Sequence, residues 1–163
     1  MDCLFWFEGG YGVKPPGNTK YLLFGGTFVL ANKLQFVGDK EVDGLPTKQW
    51  FLLRNIMDLP PEPAPTITQI ADAMDSSRQN VAKMLEVAQR QGLVAIEGSP
   101  SDRRSRSVRV TALGLTRVEQ TAVHAQAFLD RLYEGIGPEE RDAAGKVLLK
   151  MIRNLERIQG GLI

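Results

Sequence analysis

Two short amphipathic patterns follow one another in the middle of the chain, and each begins with its own helix-start signal. Thr66 has Gln69 three residues later, and Ser76 has Gln79 three residues later. Both pairs fit a capping box, in which the hydroxyl accepts a backbone N–H and the glutamine side chain reaches back to the backbone. The apolar residues behind the two caps have helical spacing; they are Ile67, Ile70, Ala71 and Met74, and then Val81, Met84, Leu85 and Ala88. The sequence therefore predicts two helices joined by a tight turn at residues 75–76.

A β-hairpin with an arginine-rich tip is predicted directly after the second helix. Gly92 stands where a glycine commonly ends a helix, so the second helix is expected over residues 76–91. Residues 93–97 and 108–111 have the composition and alternation of two strands. The polar segment 98–107 between them forms the tip. The predicted order is that of a winged helix-turn-helix: a helix, a tight turn, a second helix, and then a strand, a tip and a strand.

Longer helical patterns lie on both sides of this region. In the first and third, the positions on one face recur at spacings of three and four; they are Leu23, Thr27, Leu30, Leu34 and Val37, and Leu115, Val118, Ala122, Ala125, Leu129 and Leu132. In the second, Leu52, Leu53, Ile56 and Met57 are expected to point inward. Pro46 opens the second of these helices and Thr111 is placed to cap the third. Pro138, followed by two acidic residues, predicts the start of a last helix. Four prolines within residues 59–65 predict a stiff connector.

Together these patterns predict a mainly α fold in a single domain, residues 1–163. Residues 45–111 form a winged helix-turn-helix lobe with a small β-hairpin wing. Residues 19–44 and 112–158 supply N- and C-terminal helices that form a homodimer interface, since a small lobe needs no further long helices for its own core. Packing of these helices on one another inside a monomer is the alternative. Residues 1–18, which are rich in glycine, are expected to be irregular.

Charge is nearly balanced over the whole chain but uneven along it. The net charge is +1, yet residues 76–117 carry eight basic residues and only three acidic ones. Residues 1–75 carry six basic and nine acidic residues, and residues 118–163 carry six and seven. A local basic patch on a neutral protein indicates contact with a polyanion.

The outward side chains of the second helix suit the reading of double-stranded DNA. An arginine can bond guanine through two contacts, asparagine or glutamine can do so with adenine, and lysine suits a phosphate. An arginine at a wing tip can enter a narrow minor groove. The predicted DNA-binding residues are Ser76, Ser77, Arg78, Gln79, Asn80 and Lys83 on the helix and Arg103, Arg104 and Arg106 on the wing. A solvated helix face and an ordinary soluble loop are the alternative interpretations.

Several segments, taken in order, resemble the MarR family of bacterial transcription regulators. They are "LPTKQWFLLRNI", "TITQIADAM", "SRQNVAKMLEVAQRQGLV" and the wing "SPSDRRSRSVRVTALG", followed by two closing helices, and they span residues 45–158. The resemblance implies an obligate homodimer in which the first and last helices intertwine. It also implies that Asp102 and Arg104 brace the wing as an ion pair, which leaves Arg103 or Arg106 to reach the minor groove.

Aromatic residues are concentrated in the N-terminal third of the chain. Tyr21, Phe24, Phe28 and Trp50 are candidates to line a pocket for a small aromatic or apolar effector, because apolar concavities often form between elements that move. Ordinary packing in the core and the interface is the alternative interpretation.

The leading interpretation of the whole pattern is a dimeric, ligand-responsive transcriptional repressor. It would bind a pseudo-palindromic operator with half-sites about one turn (~10 bp) apart, with the 76–91 helix in the major groove and the wing at the minor groove. The alternative is a winged-helix module for protein–protein interaction without DNA binding, since a fold does not fix a function.

Other classes of function have little support in the sequence. It contains no Gly-rich phosphate loop and no nucleophile elbow, so an enzyme is not expected, and neither is a cofactor. Cys3 and His124, the only cysteine and the only histidine, are too few for a zinc site. A single cysteine also excludes an intrachain disulfide. No apolar run approaches the ~20 residues of a membrane span and no signal peptide is evident, so a cytoplasmic protein with no membrane partner is expected.

Overall fold

A computed structural model of the protein describes residues 18–98 and 106–161, which form six helices and one antiparallel two-stranded sheet. The elements are α1 (Thr19–Glu41), α2 (Thr47–Asp58), α3 (Ile67–Ala73), α4 (Arg78–Arg90), β1 (Val94–Gly98), β2 (Arg106–Val110), α5 (Ala112–Leu132) and α6 (Pro138–Gly160). The mainly α fold with one small hairpin is confirmed. The chain divides into two compact units, one up to Ala125 and one from Gln126 onward.

The core of the first unit brings together the apolar faces of α2, α3 and α4 with the inner face of the hairpin. Its largest fully buried side chains are Leu52, Leu53, Ile70, Leu85, Val81 and Val108. Most of the apolar positions predicted for these helices therefore do face inward. Met57 is an exception, since 37% of it is exposed. It lies one residue beyond Ile56, which is the last buried position of α2, and this places it at the edge of the buried stripe.

The hairpin pairs from Val94 with Val110 to Gly98 with Arg106. The second strand thus begins two residues earlier than the predicted residues 108–111. Arg106 and Ser107 are polar and look like loop residues, but their pairing with β1 places them in the strand. The other edge of β2 is occupied by the end of the proline connector: Val108 N donates to Pro65 O at 2.9 Å.

A buried hydroxyl joins the turn between α1 and α2 to the side of α5. Thr121 is 3% exposed, and its Oγ1 accepts the backbone N–H of Leu45 at 3.0 Å and donates to Arg117 O at 2.7 Å. Gly44 has a φ of +128°, and a Cβ built on it would lie 2.4 Å from Thr121 Oγ1. Only glycine fits here without movement of the turn, because both the backbone conformation and the close approach exclude a side chain.

Helix α5 begins as the sequence predicts. Thr111 Oγ1 accepts from Gly114 N at 3.0 Å and donates to Gly92 O at 2.6 Å, so the capping residue also holds the end of α4. Gly114 packs directly on the chain before β1: a Cβ at this position would lie 2.2 Å from Leu93 O. The start of α5 is therefore fixed against the lobe by backbone contact.

Helices α1 and α6 each carry long exposed apolar surfaces. On α1 the exposed large apolar residues are Tyr21, Leu23, Phe24, Phe28, Leu30, Phe36 and Val37. Helix α6 starts at Pro138 as predicted, with Gly137 N donating to Glu140 Oε2 at 2.8 Å, and none of its residues is buried. Its exposed apolar residues are Val147, Leu148, Leu149, Ile152, Leu155 and Ile158. Within residues 18–98 and 106–161, no helix is both long enough and apolar enough to cross a bilayer.

Candidate nucleic-acid interface

The joint between α3 and α4 is built by one residue in the left-handed conformation. Asp75 has a φ of +46°, a region that aspartate tolerates better than most residues. Around it, Asp75 N donates to Asp72 O at 3.1 Å and Ser76 N donates to Ala71 O at 2.9 Å. These bonds close a tight turn between the two helices, so the direction in which α4 starts is fixed by the end of α3. The tight turn predicted at residues 75–76 is confirmed.

Both helices of this pair are capped, but the second cap is not the predicted one. The capping box of Thr66 and Gln69 is present. At the start of α4, however, Ser77 is the N-cap and its hydroxyl accepts Asn80 N at 3.2 Å. Ser76 instead accepts the side-chain amide of Asn80 at 2.9 Å. The expectation that Ser76 caps this helix was wrong, because the left-handed residue before it delays the first helical turn by one position.

The predicted reading face of α4 is exposed. Ser77, Arg78, Gln79, Asn80 and Lys83 are all exposed, whereas the adjacent Ser76 is half-buried. The side chains of Arg78, Gln79 and Lys83 make no hydrogen bond or ion pair with any other described residue. They are therefore available for an external partner, while the Asn80 amide is partly engaged with Ser76.

Of the predicted wing residues, the structure describes Arg106 alone. Arg106 is exposed at the first position of β2, opposite Gly98. Asp102, Arg103 and Arg104 lie outside the described residues. The bracing ion pair of Asp102 with Arg104 and the minor-groove contact of the tip remain predictions.

Arg109, which the sequence places in the basic patch, has an acidic partner that the pattern did not reveal. Its Nη1 lies 3.0 Å from Glu62 Oε1, and its Nη2 donates to Glu62 Oε2 at 3.3 Å. The hydrogen bond and the positive charge of Arg109 lower the pKa of Glu62, and Glu62 raises the pKa of Arg109 in return. The two residues are 47 positions apart in the chain. No local spacing rule could have paired them.

The four aromatic residues predicted to line an effector pocket occupy two settings. Tyr21, Phe24 and Phe28 are about two-thirds exposed on α1, and the Phe24 and Phe28 rings meet edge to face with centroids 5.4 Å apart. Trp50 is half-buried on α2, and its buried indole N–H has no hydrogen-bond acceptor among the described residues. A pocket at this place stays a prediction.

A concavity of about 320 Å³ lies elsewhere, between the end of α2, the proline connector, β2 and the start of α5. It is lined by Ile56, Met57, Leu59, Pro61, Pro65, Val108, Arg109, Val110 and Leu115. Its wall is mostly apolar, with the guanidinium of Arg109 as its charged group. The exposed Met57 noted above thus forms part of this wall.

Comparison with known proteins gives one family. Residues 43–105 match the model of the MarR family. This range contains α2, α3, α4 and β1, and so covers the helix pair and the first strand of the wing.

Solved structures with the same fold include proteins bound to DNA. The transcriptional repressor CouR, bound to a 23-mer DNA duplex, is 25% identical to this chain and matches 83% of it and 96% of CouR with a TM-score of 0.72. S. aureus MepR, in a DNA complex, is 18% identical and matches 85% of this chain and 98% of MepR with a TM-score of 0.71. Bordetella bronchiseptica BpsR, whose DNA binding is regulated by 6-hydroxynicotinic acid, is 23% identical to this chain. The match covers 79% of this chain and 98% of BpsR with a TM-score of 0.66. The predicted winged helix-turn-helix fold is confirmed.

Proposed function

We propose that this chain, whose residues 43–105 match the MarR family model, is a DNA-binding transcription regulator of that family and not an enzyme. We propose further that it is a cytoplasmic, homodimeric, ligand-responsive repressor. In this proposal α4 enters the major groove and the wing lies at the minor groove. Two lobes of a dimer read the two halves of a pseudo-palindromic operator, with half-sites about one turn (~10 bp) apart.

The exposed first two turns of α4 are the observation that carries the proposal. Arg78, Gln79 and Lys83 combine side chains that can bond base edges with one that can bond phosphate, and no described residue neutralises or occupies them. The hydrogen bond from the side-chain amide of Asn80 to Ser76 Oγ holds that amide at the start of the helix. In helix-turn-helix proteins, this N-terminal end of the second helix contacts the bases.

The exposed apolar faces of α1 and α6 support the dimer. Phe28 on α1 is 63% exposed, and Leu155 and Ile158 on α6 are 62% and 61% exposed. Several large apolar side chains exposed along one helix are uncommon on a monomer, which supports an interface on each of these helices. Sedimentation of the purified chain measures this directly. We expect twice the mass of one chain, and a monomer at all accessible concentrations would overturn the dimer.

A small aromatic or apolar effector is proposed for the region of Tyr21, Phe24, Phe28 and Trp50. The exposed rings of α1 and the unpaired indole N–H of Trp50 support a site that is completed on assembly. The probe is a set of monocyclic aromatic acids that includes 6-hydroxynicotinic acid. Binding to the wild type that is lost in Phe24→Ala supports the site, whereas binding unaffected by Phe24→Ala places the effector elsewhere.

Two arginines of α4 provide a matched test of DNA binding. The probe is a duplex selected by the wild-type protein from a random-sequence pool. Arg78→Gln removes a group at the N-terminal end of α4, and we expect it to cost about 1–3 kcal/mol of binding free energy if Arg78 bonds a base. Arg90→Gln removes the same group at the other end of the helix and should change affinity little. Equal losses from both variants would contradict insertion by the N-terminal end.

The salt dependence of binding separates this proposal from the protein-interaction alternative. Each phosphate contact lowers the slope of log affinity against log salt concentration by about 0.9. We therefore expect a steep loss of affinity for any duplex as the salt concentration rises. In Lys83→Gln the loss should be less steep, because one phosphate contact is missing. A chain that ignores duplex DNA even in dilute buffer would support the protein-interaction module instead.

A further inference from the structure

The wing is attached to the lobe along an edge where the backbone offers few hydrogen-bond donors. Strand β2 pairs with β1 on one edge, and on the other edge it meets the connector through an isolated bridge of Ser107 with Thr66 and the bond from Val108 N to Pro65 O. Pro65 and Pro63 have no N–H, so they cannot donate to β2. A regular strand ladder therefore cannot continue along the connector in this direction.

The side chain of Arg109 supplies donors at the place where the ladder stops. Its guanidinium reaches both oxygens of Glu62, at 3.0 and 3.3 Å, and its Nη1 also donates to Pro61 O at 3.4 Å. A planar guanidinium suits this use, because its N–H groups can bond a carboxylate and a carbonyl at the same time. Beyond the bridge of Ser107 with Thr66 and the bond from Val108 N to Pro65 O, the connector and the strand are thus held together by one charged side chain.

We infer that Glu62 is a positioning residue for the wing: by holding Arg109 against the connector, it fixes the base of β2 and keeps Arg109 from serving as a DNA contact. The part of this inference that concerns DNA rests on the proposed function. Glu62 acts through Arg109, because the carboxylate removes the positive charge of Arg109 from the basic patch and sets the direction in which β2 leaves the lobe.

The opposite role for Arg109 makes different predictions. If Arg109 were a phosphate contact, Glu62 would compete with the DNA for it. Neutralising Glu62 would then tighten DNA binding, and removing Arg109 would lower the salt dependence. If Glu62 positions the wing, neutralising it weakens DNA binding, and removing Arg109 leaves the salt dependence unchanged.

The first measurement needs no DNA. Amide hydrogen exchange at Val108 reports local opening of β2 from the connector and is followed by NMR in the wild type and in two variants. Glu62→Ala removes the clamp. Asp58→Asn is the control, because Asp58 also forms an exposed ion pair, with Arg54 at 3.1 Å within α2.

We expect exchange at Val108 to become about two- to fivefold faster in Glu62→Ala, the range of an exposed ion pair, and to stay unchanged in Asp58→Asn. Equal rates in all three proteins would overturn the clamp. An equal acceleration in both variants would also overturn it, because the effect would then not belong to the wing.

The second measurement uses the duplex selected by the wild-type protein. Glu62→Gln and Arg109→Gln should each lower affinity about two- to fivefold, and the double variant should lose no more than either single one, because both remove the same contact. Arg109→Gln should keep the wild-type salt slope. Tighter binding by Glu62→Gln, with a slope reduced by about one in Arg109→Gln, would overturn the positioning role. If the wild type selects no duplex at all, the proposed function fails, while hydrogen exchange still decides whether the clamp exists.

Discussion

Thr121 shows how much one buried hydroxyl can hold in place. Its side chain is polar and only 3% exposed. Its hydroxyl accepts a hydrogen bond from the backbone N–H of Leu45, which lies 76 positions earlier in the chain. Without it, that N–H would be buried without an acceptor, which costs more than the hydrogen bond itself contributes. The turn that leads from α1 into the lobe therefore depends on a side chain of α5.

We expect Thr121→Val, which keeps the shape and removes the acceptor, to lower the free energy of unfolding by about 1–3 kcal/mol. Thr121→Ser keeps the hydroxyl and loses one methyl group, so it should lose less. Urea denaturation of the three proteins measures the difference. If the valine variant were as stable as the serine variant, the hydrogen bond to Leu45 N would contribute nothing.

Gly114 and Gly145 are both helical glycines, but their surroundings differ. A Cβ on Gly114 would lie 2.2 Å from Leu93 O, whereas one on Gly145 would meet nothing within 4 Å. Gly114→Ala should therefore destabilise the chain by more than about 1 kcal/mol through overpacking. Gly145→Ala should stabilise it by about 0.5–1 kcal/mol, because alanine has the higher helix propensity. Thermal unfolding measures both, and destabilisation by Gly145→Ala would mean that another surface approaches α6 there.

At the scale of elements, the start of α4 separates two adjacent serines. Ser77 is the N-cap, and Ser76 contacts only the side-chain amide of Asn80. We expect Ser77→Ala to cost about 1 kcal/mol of stability, as the loss of a helix cap usually does, and Ser76→Ala to cost less. Denaturant unfolding checks this, and a larger loss from Ser76→Ala would restore the capping box first suggested by the sequence.

The helices and their caps could be predicted wherever the signal is local. The box of Thr66 and Gln69, the cap at Thr111 and the start at Pro138 all depend on neighbours within four residues, and all three appear in the structure. At Ser76 and Ser77 the same rule fits two registers, and the left-handed Asp75 decides between them. That backbone angle cannot be read from the sequence.

Contacts between distant segments could not be predicted in the same way. The pairing of Glu62 with Arg109 depends on the connector running beside β2, which only the tertiary fold determines. For this reason Arg109 counted as part of a free basic patch in the sequence but is neutralised in the structure. The exposure of Arg78 and Lys83, in contrast, could be predicted from helical spacing alone.

For the molecule as a whole, the ion pair of Glu62 and Arg109 makes stability depend on pH in a definite direction. Arg109 lowers the pKa of Glu62 in the folded protein, so on acidification the unfolded chain takes up the proton first. The contribution is complete above the usual pKa of a glutamate and is lost as the pH falls through the lowered value. We expect the melting temperature of the wild type to exceed that of Glu62→Gln at neutral pH and the two to converge in acid. A difference that persists unchanged in acid would contradict this origin.

Assembly is the other property of the whole molecule, and α6 offers the clearest test. Leu155→Glu places a charge on the exposed apolar face, where an interface would have to desolvate it. We expect this variant to sediment as a monomer, or to shift strongly toward one, while Glu156→Gln at the neighbouring position leaves the mass unchanged. If Leu155→Glu sedimented like the wild type, α6 would not be part of the interface.

The first turn of α2 takes its cap from another helix: Asp39 Oδ1, near the end of α1, accepts Thr47 N at 2.6 Å. An investigator who trimmed the chain just before Leu45 to isolate the lobe would remove this acceptor. Trimming α5 before Thr121 would also leave the backbone N–H of Leu45 without its hydrogen-bond acceptor. Residues 45–111 are consequently not an independent folding unit. A fragment that keeps both hydrogen bonds has to include the last turn of α1 and the first three turns of α5.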